Sequence, residues 1–192
     1  MKFIPDPEKF YIVGNNLALD FINTSIFELT LEDLLSWMAA VDLVGVADAQ
    51  GLHKKWKEAR LATISSFRTR LRKNVKDLVE TKSIPAEEIN WINGILRETG
   101  GYSELRETEE GFSKSNKIDL TEPKKIRVPI TESFVDLICY GQLDLLRKCE
   151  RPDCILYFYD TTKNHKRRWC SMAICGNRAK AAAFYQKKKS KI

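Results

Sequence analysis

Four cysteines in the last quarter of the chain constrain its fold more than any other feature. They fall as two C-x4-C pairs, Cys149/Cys154 and Cys170/Cys175, with fifteen residues between the pairs. Zinc takes four ligands in a tetrahedron, with thiolate sulfurs at about 2.3 Å. Two cysteines a few residues apart can turn both sulfurs toward one ion across a tight loop, and Arg151-Pro152-Asp153 supplies that turn chemistry. The second pair straddles the predicted start of an alanine-rich helix, with Cys170 just before it and Cys175 just inside. Between the pairs, ILYFYDTTKNHKRRW has an aromatic alternating half, a polar turn at 161–164 and a second half, which predicts a β-hairpin. Knuckle, hairpin and helix N-terminus together describe a small treble-clef-like zinc finger. Four thiolates leave no coordination position open, so one Zn2+ is expected there as a structural ion. A redox pair more typically reads C-x-x-C. His165, at the tip of the hairpin, is not needed as a ligand. Cys139 stands alone in a preceding helix and is expected in the core.

The rest of the chain reads as mainly α, within an α+β whole. NLALDFINTSIF puts Leu17, Phe21 and Ile22 on one side of a helix. Asp20 and Asn23 on that helix are expected in helix-end hydrogen bonds, the alternative being a small-molecule pocket. Thr30 is an N-cap with acids in the first turn after it. Leu31, Leu34, Leu35, Met38 and Val41 follow as an apolar stripe, and Gly45 is a stop. From about 52 to 80, Trp56, Ile64, Phe67, Leu71, Val75, Leu78 and Val79 predict one long amphipathic helix. Another opens at Pro85 and ends near Gly100-Gly101. Residues 102–119, with Glu-Glu-Gly at their middle, predict an exposed β-hairpin, and a last helix is expected over 131–147. This gives two domains: a helical regulatory or sensor body over 1–144 and the finger over 145–192.

Charge divides the same way. The chain carries +6, yet residues 145–192 hold 13 Lys/Arg against three acids, a net +10, and the remainder is −4. A basic module of this kind meets nucleic acid more often than an acidic membrane surface. In the DNA reading, Lys163, Lys166, Arg167 and Arg168 contact phosphates. Asn177, Arg178 and Lys180, at the front of the helix, approach a groove. Lys187, Lys188, Lys189 and Lys191 add affinity without sequence preference. A second reading gives the cations to the site itself. Zinc with four thiolates carries a formal −2, and Arg178, one turn past a ligand, can offset it. Gly176 then serves only to let hairpin and helix approach. Adjacent strand residues face opposite sides, so at most one of Arg167 and Arg168 faces the zinc. Trp169 is expected to pack on Tyr157 or Phe158. A protein-interaction module and an RNA-binding module, with Tyr157, Phe158 and Tyr159 stacking bases, are the alternatives. No Ser/His/Asp grouping, phosphate loop or open metal site suggests an enzyme. MKFIPDPEKF has no apolar signal segment, and SWMAAVDLVGVA is too short to span a bilayer, so a cytoplasmic protein without membrane contact is expected. A homodimer and a small-molecule effector in the body remain open.

These residues resemble a known family. CERPDC, the Asp160-Thr161-Thr162 run, Arg167-Arg168-Trp169-Cys170-Ser171 and the tetrad Cys175-Gly176-Asn177-Arg178 are similar to the CGNR zinc finger of bacteria, over about 145–188. GNNLALDFINT (14–24) and LEDLLSWMAAVDLV (31–44) look like the start of the ABATE domain that precedes this finger. The resemblance implies a stress-induced transcription regulator that binds DNA, with its zinc on Cys149, Cys154, Cys170 and Cys175. Because the finger is short of apolar surface, its folding is expected to need metal. Chelation should then melt 149–185 while the helical body survives.

Overall fold

The structure is a computed structural model that describes residues 3–26, 28–57, 61–98, 101–108 and 111–189. Its first helix, α1 (Leu17–Asn23), starts where the Asn16 side chain accepts hydrogen bonds from the N–H groups of Ala18 and Leu19, at 3.0 and 3.3 Å. Helix α2 (Leu31–Ala40) starts at Thr30, whose hydroxyl accepts from the Asp33 N–H at 3.0 Å. Such caps satisfy backbone donors that have no partner inside the helix.

The single helix expected over 52–80 is two, α3 (Val46–Lys55) and α4 (Ala62–Thr81). Trp56 and Ile64 are eight residues apart, which at about 100° per residue leaves them about 80° out of phase. That offset still fits one apolar stripe. Trp56 instead ends α3, its N–H donating to the Leu52 carbonyl at 2.8 Å, and Trp56 and Ile64 are buried on either side of the break. Helix α5 (Ala86–Leu96) follows Pro85 as expected. The hairpin is present as β1 (Gly101–Thr108) and β2 (Gly111–Ile118), antiparallel with Gly101 opposite Ile118 and Thr108 opposite Gly111.

Helix α6 (Arg127–Tyr140) begins and ends earlier than 131–147. Pro129 is tolerated in its first turn, where no intrahelical N–H bond is lost. Gly141 ends it: a Cβ there would lie 2.4 Å from the Leu137 carbonyl oxygen. Leu145 and Leu146, expected on the helix, lie beyond it and are buried. Cys139 is exposed on α6, not in the core; that helix turns Val128, Ile130, Phe134 and Leu137 to the core.

The main core joins α1, α2, α4 and α6 through Phe21, Trp37, Phe67, Leu71 and Phe134. After α6 come β3 (Leu146–Lys148) and β4 (Tyr157–Tyr159), paired antiparallel with Leu146 opposite Tyr159 and Lys148 opposite Tyr157. Strand side chains alternate between faces. Accordingly Tyr157 enters the main core, while Phe158 enters a second cluster made with the four cysteines and Leu156. Strand β4 is thus the seam between body and finger. Helix α7 (Asn177–Lys189) closes the chain.

The body grips that seam with polar groups. The Asn23 amide donates to the Tyr157 carbonyl at 2.8 Å and accepts from the Tyr157 N–H at 2.9 Å. The Tyr159 N–H donates to the Gly14 carbonyl at 2.8 Å, and Asn15 Nδ2 donates to the Tyr159 carbonyl at 3.0 Å. Arg72 donates to the Ile155 carbonyl and lies 5.1 Å over the Tyr157 ring. Asp20 accepts from the N–H groups of Val13 and Gly14, at 3.0 and 2.7 Å, which holds the loop that Gly14 belongs to. Both polar residues of α1 are therefore consumed by structure rather than by a pocket.

Burial pushes the Asp20 carboxyl up to about 6, against the pull of the Gly14 and Val13 N–H groups. A carboxyl whose folded pKa exceeds its unfolded one favours folding at acid pH, and that contribution is lost as pH rises through 6. Between about pH 5 and about pH 7.5 the loss is on the order of 1 kcal/mol. Urea denaturation of the wild type and Asp20→Asn at these two pH values should show it. The wild type should weaken relative to the variant as pH rises; an unchanged difference would count against an ionising Asp20.

Candidate metal centre

The knuckle is built by local bonds. The Cys149 N–H donates to the Leu156 carbonyl at 2.9 Å, and the Cys154 N–H to the Arg151 carbonyl at 3.0 Å. Arg151 braces the turn with two hydrogen bonds to the Asp153 carboxylate, 2.7 and 2.6 Å. The hairpin expected between the cysteine pairs is paired differently. Strand β4 pairs with β3 across the knuckle, and no strand is assigned over 160–169. The return instead runs beside the knuckle, where the Glu150 N–H donates to the Arg168 carbonyl at 3.0 Å.

The second pair is placed by one π-helical turn, Met172–Gly176, at the head of α7. Its defining bond runs from the Gly176 N–H to the Ser171 carbonyl, 3.0 Å, and the Ser171 hydroxyl accepts from the Ile174 N–H. A wide turn of this kind adds a residue to the helix and is frequent at functional sites. Here it turns Cys175 inward. Gly176 eases the approach that follows: a Cβ would lie 2.5 Å from Met172 Sδ, which would have to swing away, and 3.3 Å from Trp169 Cε3.

The four sulfurs of Cys149, Cys154, Cys170 and Cys175 all lie within 4.8 Å of one another, and all four residues are buried. Cys154 and Cys170 are 3.8 Å apart, and Cys170 and Cys175 are 3.5 Å apart. A tetrahedron with zinc–sulfur bonds of about 2.3 Å has edges of about 3.8 Å. The four sulfurs are therefore clustered closely enough to hold one zinc ion. His165, exposed on its loop, is outside this set.

Burial pushes the Cys154 thiol up to about 11 and the Cys170 thiol higher still, with the neighbouring thiols adding to both. Burial acts the same way on Cys149, but the Cys170 and Arg151 N–H groups outweigh it and hold that thiol below its usual range. Metal must displace protons to bind such a set, so zinc affinity should fall as pH falls. Titration with a zinc-sensitive dye should report one zinc per chain and weaker retention in acid. Cys154→Ser should lose at least about tenfold in affinity, the size of a misplaced ligand; wild-type retention in that variant would argue against the site.

Residues 15–141 match the family model described as "Putative stress-induced transcription regulator", ABATE. The chain belongs to the ABATE family. Residues 146–188 match the model of the CGNR zinc finger. No curated protein matches this ABATE-family chain. The matched families are regulators and zinc fingers, not enzymes. Among the described residues no helix is long and apolar enough to cross a membrane.

In this ABATE-family structure the finger's cations separate into two groups. Arg167, expected at a phosphate, is turned inward. Its guanidinium lies 4.3 Å over the Phe158 ring and donates to the carbonyls of Val13 (2.9 Å), Trp169 (3.1 Å) and Cys170. Arg168 points outward, 2.6 Å from the Glu150 carboxylate and 4.9 Å over the Trp169 ring. One of the pair is internal and the other external, as strand-like alternation requires. Asn177 donates to the Ala173 carbonyl at 3.1 Å. Lys163, Lys166, Arg178 and Lys180 are exposed, and none has a hydrogen bond or ion pair among the described residues. Arg178 thus makes no bond to sulfur. Lys191 and the side chains of Lys187, Lys188 and Lys189 lie outside the described residues. Tyr157 and Phe158 are buried and cannot stack on bases. Trp169 packs against the cluster that holds Phe158.

Two site residues were not read from the sequence. Asp160 is fully buried and accepts from the Thr162 N–H and hydroxyl, the Arg167 N–H and Arg147. Burial pushes its carboxyl up, but these donors outweigh that and hold it below its usual range. Arg147 also donates to the carbonyls of Arg167 and His165, tying the 160–168 loop down. The Asp-Thr-Thr run is an Asx-turn signal that marks Asp160 in advance. Nothing local marks Arg147.

Proposed function

We propose that this chain is a zinc-finger DNA-binding transcription regulator, with residues 145–192 meeting DNA and residues 1–144 sensing or dimerising. The observation that carries this reading is the division of the cations. Arg147, Arg151 and Arg167 hold the finger together and Arg168 pairs with Glu150, which leaves Lys163, Lys166, Arg178 and Lys180 exposed on its surface with no hydrogen bond or ion pair among the described residues. Exposed lysines and arginines with no ion-pair partner serve phosphate contacts, whose strength comes from counterion release. The description of the matched family supports a role in transcription under stress, and the absence of a spanning helix among the described residues is compatible with a cytoplasmic site of action. A 540 Å³ groove lined by Asp42, Gly45, Asp48 and Leu120 is available to a small effector on the body.

Fluorescence anisotropy of a labelled duplex tests the reading. With about four phosphate contacts, the slope of log K against log salt should be roughly −4. A flat response, or no binding of either this duplex or its separated strand at low salt, refutes it. One observation favours a protein-interaction module instead: Phe184 and Tyr185 on α7 are each 66% exposed. If Phe184→Ser with Tyr185→Ser abolishes a protein contact or a homodimer while charge reversal at Lys163 and Lys166 leaves DNA binding intact, the second reading wins.

A further inference from the structure

One groove on the finger differs in character from its neighbours. It has a volume of 490 Å³ and lies between the 162–168 loop and the π-helical turn. Its charged lining residues, Lys163, Lys166, Arg167 and Arg168, are all cationic, and its apolar lining comes from Trp169 and Met172. Arg168 and Trp169 form the wall it shares with the adjacent groove between knuckle and α7, which contains Glu150 and Asp153; the body groove contains Asp42 and Asp48.

The wall of the cationic groove is ordered before any ligand arrives. The Arg168 guanidinium lies on the Trp169 ring at 4.9 Å and is held there by Glu150 at 2.6 Å. The Arg168 side chain is still 59% exposed despite its pair with Glu150, so guanidinium and ring lie side by side at the solvent. Met172, 46% exposed, adds a polarizable edge. Guanidinium planes and aromatic rings are the surfaces on which unpaired bases stack, while lysines beside them take the flanking phosphates. A base inside a continuous duplex cannot present its face to such a surface.

We propose that this groove holds one unpaired nucleobase of a DNA strand, stacked on the outer face of the Arg168–Trp169 pair, with its flanking phosphates on Lys163 and Lys166. The proposal rests on the DNA-binding reading and narrows it: the finger prefers single-stranded or locally opened DNA to intact duplex.

Zinc-loaded full-length chain, titrated with a labelled thymidine 20-mer and with a mixed-sequence duplex of equal length, tests it. The single strand should bind about tenfold more tightly, the size of one base stack. Arg168→Lys keeps the charge and loses the plane. It should weaken single-strand binding about tenfold and change duplex binding less than about twofold, and Met172→Ala should act in the same direction. Zinc content confirms that each variant is folded. A single strand bound no more tightly than duplex, or variants that weaken both DNAs equally, overturns the groove assignment and leaves the DNA-binding reading standing. Failure of both DNAs to bind overturns both.

Discussion

Removing the zinc is expected to destabilise the whole chain and not the finger alone. A structural zinc site contributes on the order of 10 kcal/mol of apparent binding free energy in small fingers. The four ligands here tie together the knuckle, the return at 167–170 and the head of α7, none of which has a large apolar core of its own. Independent melting of 149–185 is what composition alone suggests. The structure argues otherwise. Tyr157 belongs to the main core, and Asn23, Gly14, Asn15 and Arg72 all hold finger backbone. When the finger unfolds, β4 leaves α1 and α4, and their buried faces open to water. A chain of this size shifts by about 2–4 °C per kcal/mol. Chelation should therefore lower the melting temperature by about 10 °C or more. Hydrogen exchange should rise across Leu17–Asn23 as well as beyond Cys149. Exchange confined to 149–189, with α1 amides unchanged, would restore the picture of two separate modules.

Where the chemistry is local, the sequence is readable. Two pairs of cysteines at equal spacing define a tetrahedral site, because turns of four residues leave the sulfurs few other places to go. Thr30 predicts its own cap because the bond it makes spans three residues. The positive charge of the last 48 residues is likewise visible before any fold is known. Pairings between distant segments are not. The partner of β4 is β3, on the near side of the knuckle, although the polar run at 161–164 reads as a hairpin turn. That run is held instead by Asp160 and Arg147, side chains that satisfy backbone groups a second strand would have taken. Arg167 and Arg168 are equivalent by composition; Arg167 turns in to the Val13, Trp169 and Cys170 carbonyls and the Phe158 ring, partners that the fold alone brings together. Val13 is more than 150 residues away in sequence, as Arg167 Nη2 bonds it across a separation of 154. The break between α3 and α4 is hidden because Trp56 and Ile64, eight residues apart, both fit the apolar face of one helix.

Asn23→Ala should be the most damaging substitution outside the cysteines. Asn23 sits on α1 among Phe21 and Ile22, buried where an apolar residue would be expected. Its amide offers the Tyr157 backbone one donor and one acceptor, as a neighbouring strand would. Truncation leaves a buried N–H and a buried carbonyl without partners, and each unsatisfied group costs about 1–3 kcal/mol. The expected loss is about 3 kcal/mol, or roughly 6–12 °C in melting temperature. Zinc should also leave faster, because β4 leads directly out of the knuckle that carries Cys149 and Cys154. Asn23→Asp separates hydrogen bonding from packing. The introduced carboxylate accepts from the Tyr157 N–H but faces the Tyr157 carbonyl with no proton to give. Its folded pKa is thereby raised, so its stability should recover as pH falls and the carboxyl becomes a donor. Asn23→Ala shows no such recovery. A loss below about 1 kcal/mol for Asn23→Ala would mean that water or a shifted strand satisfies Tyr157. The body would then hold the finger through packing of the Tyr157 ring alone, and the reach of zinc into α1 would weaken with it.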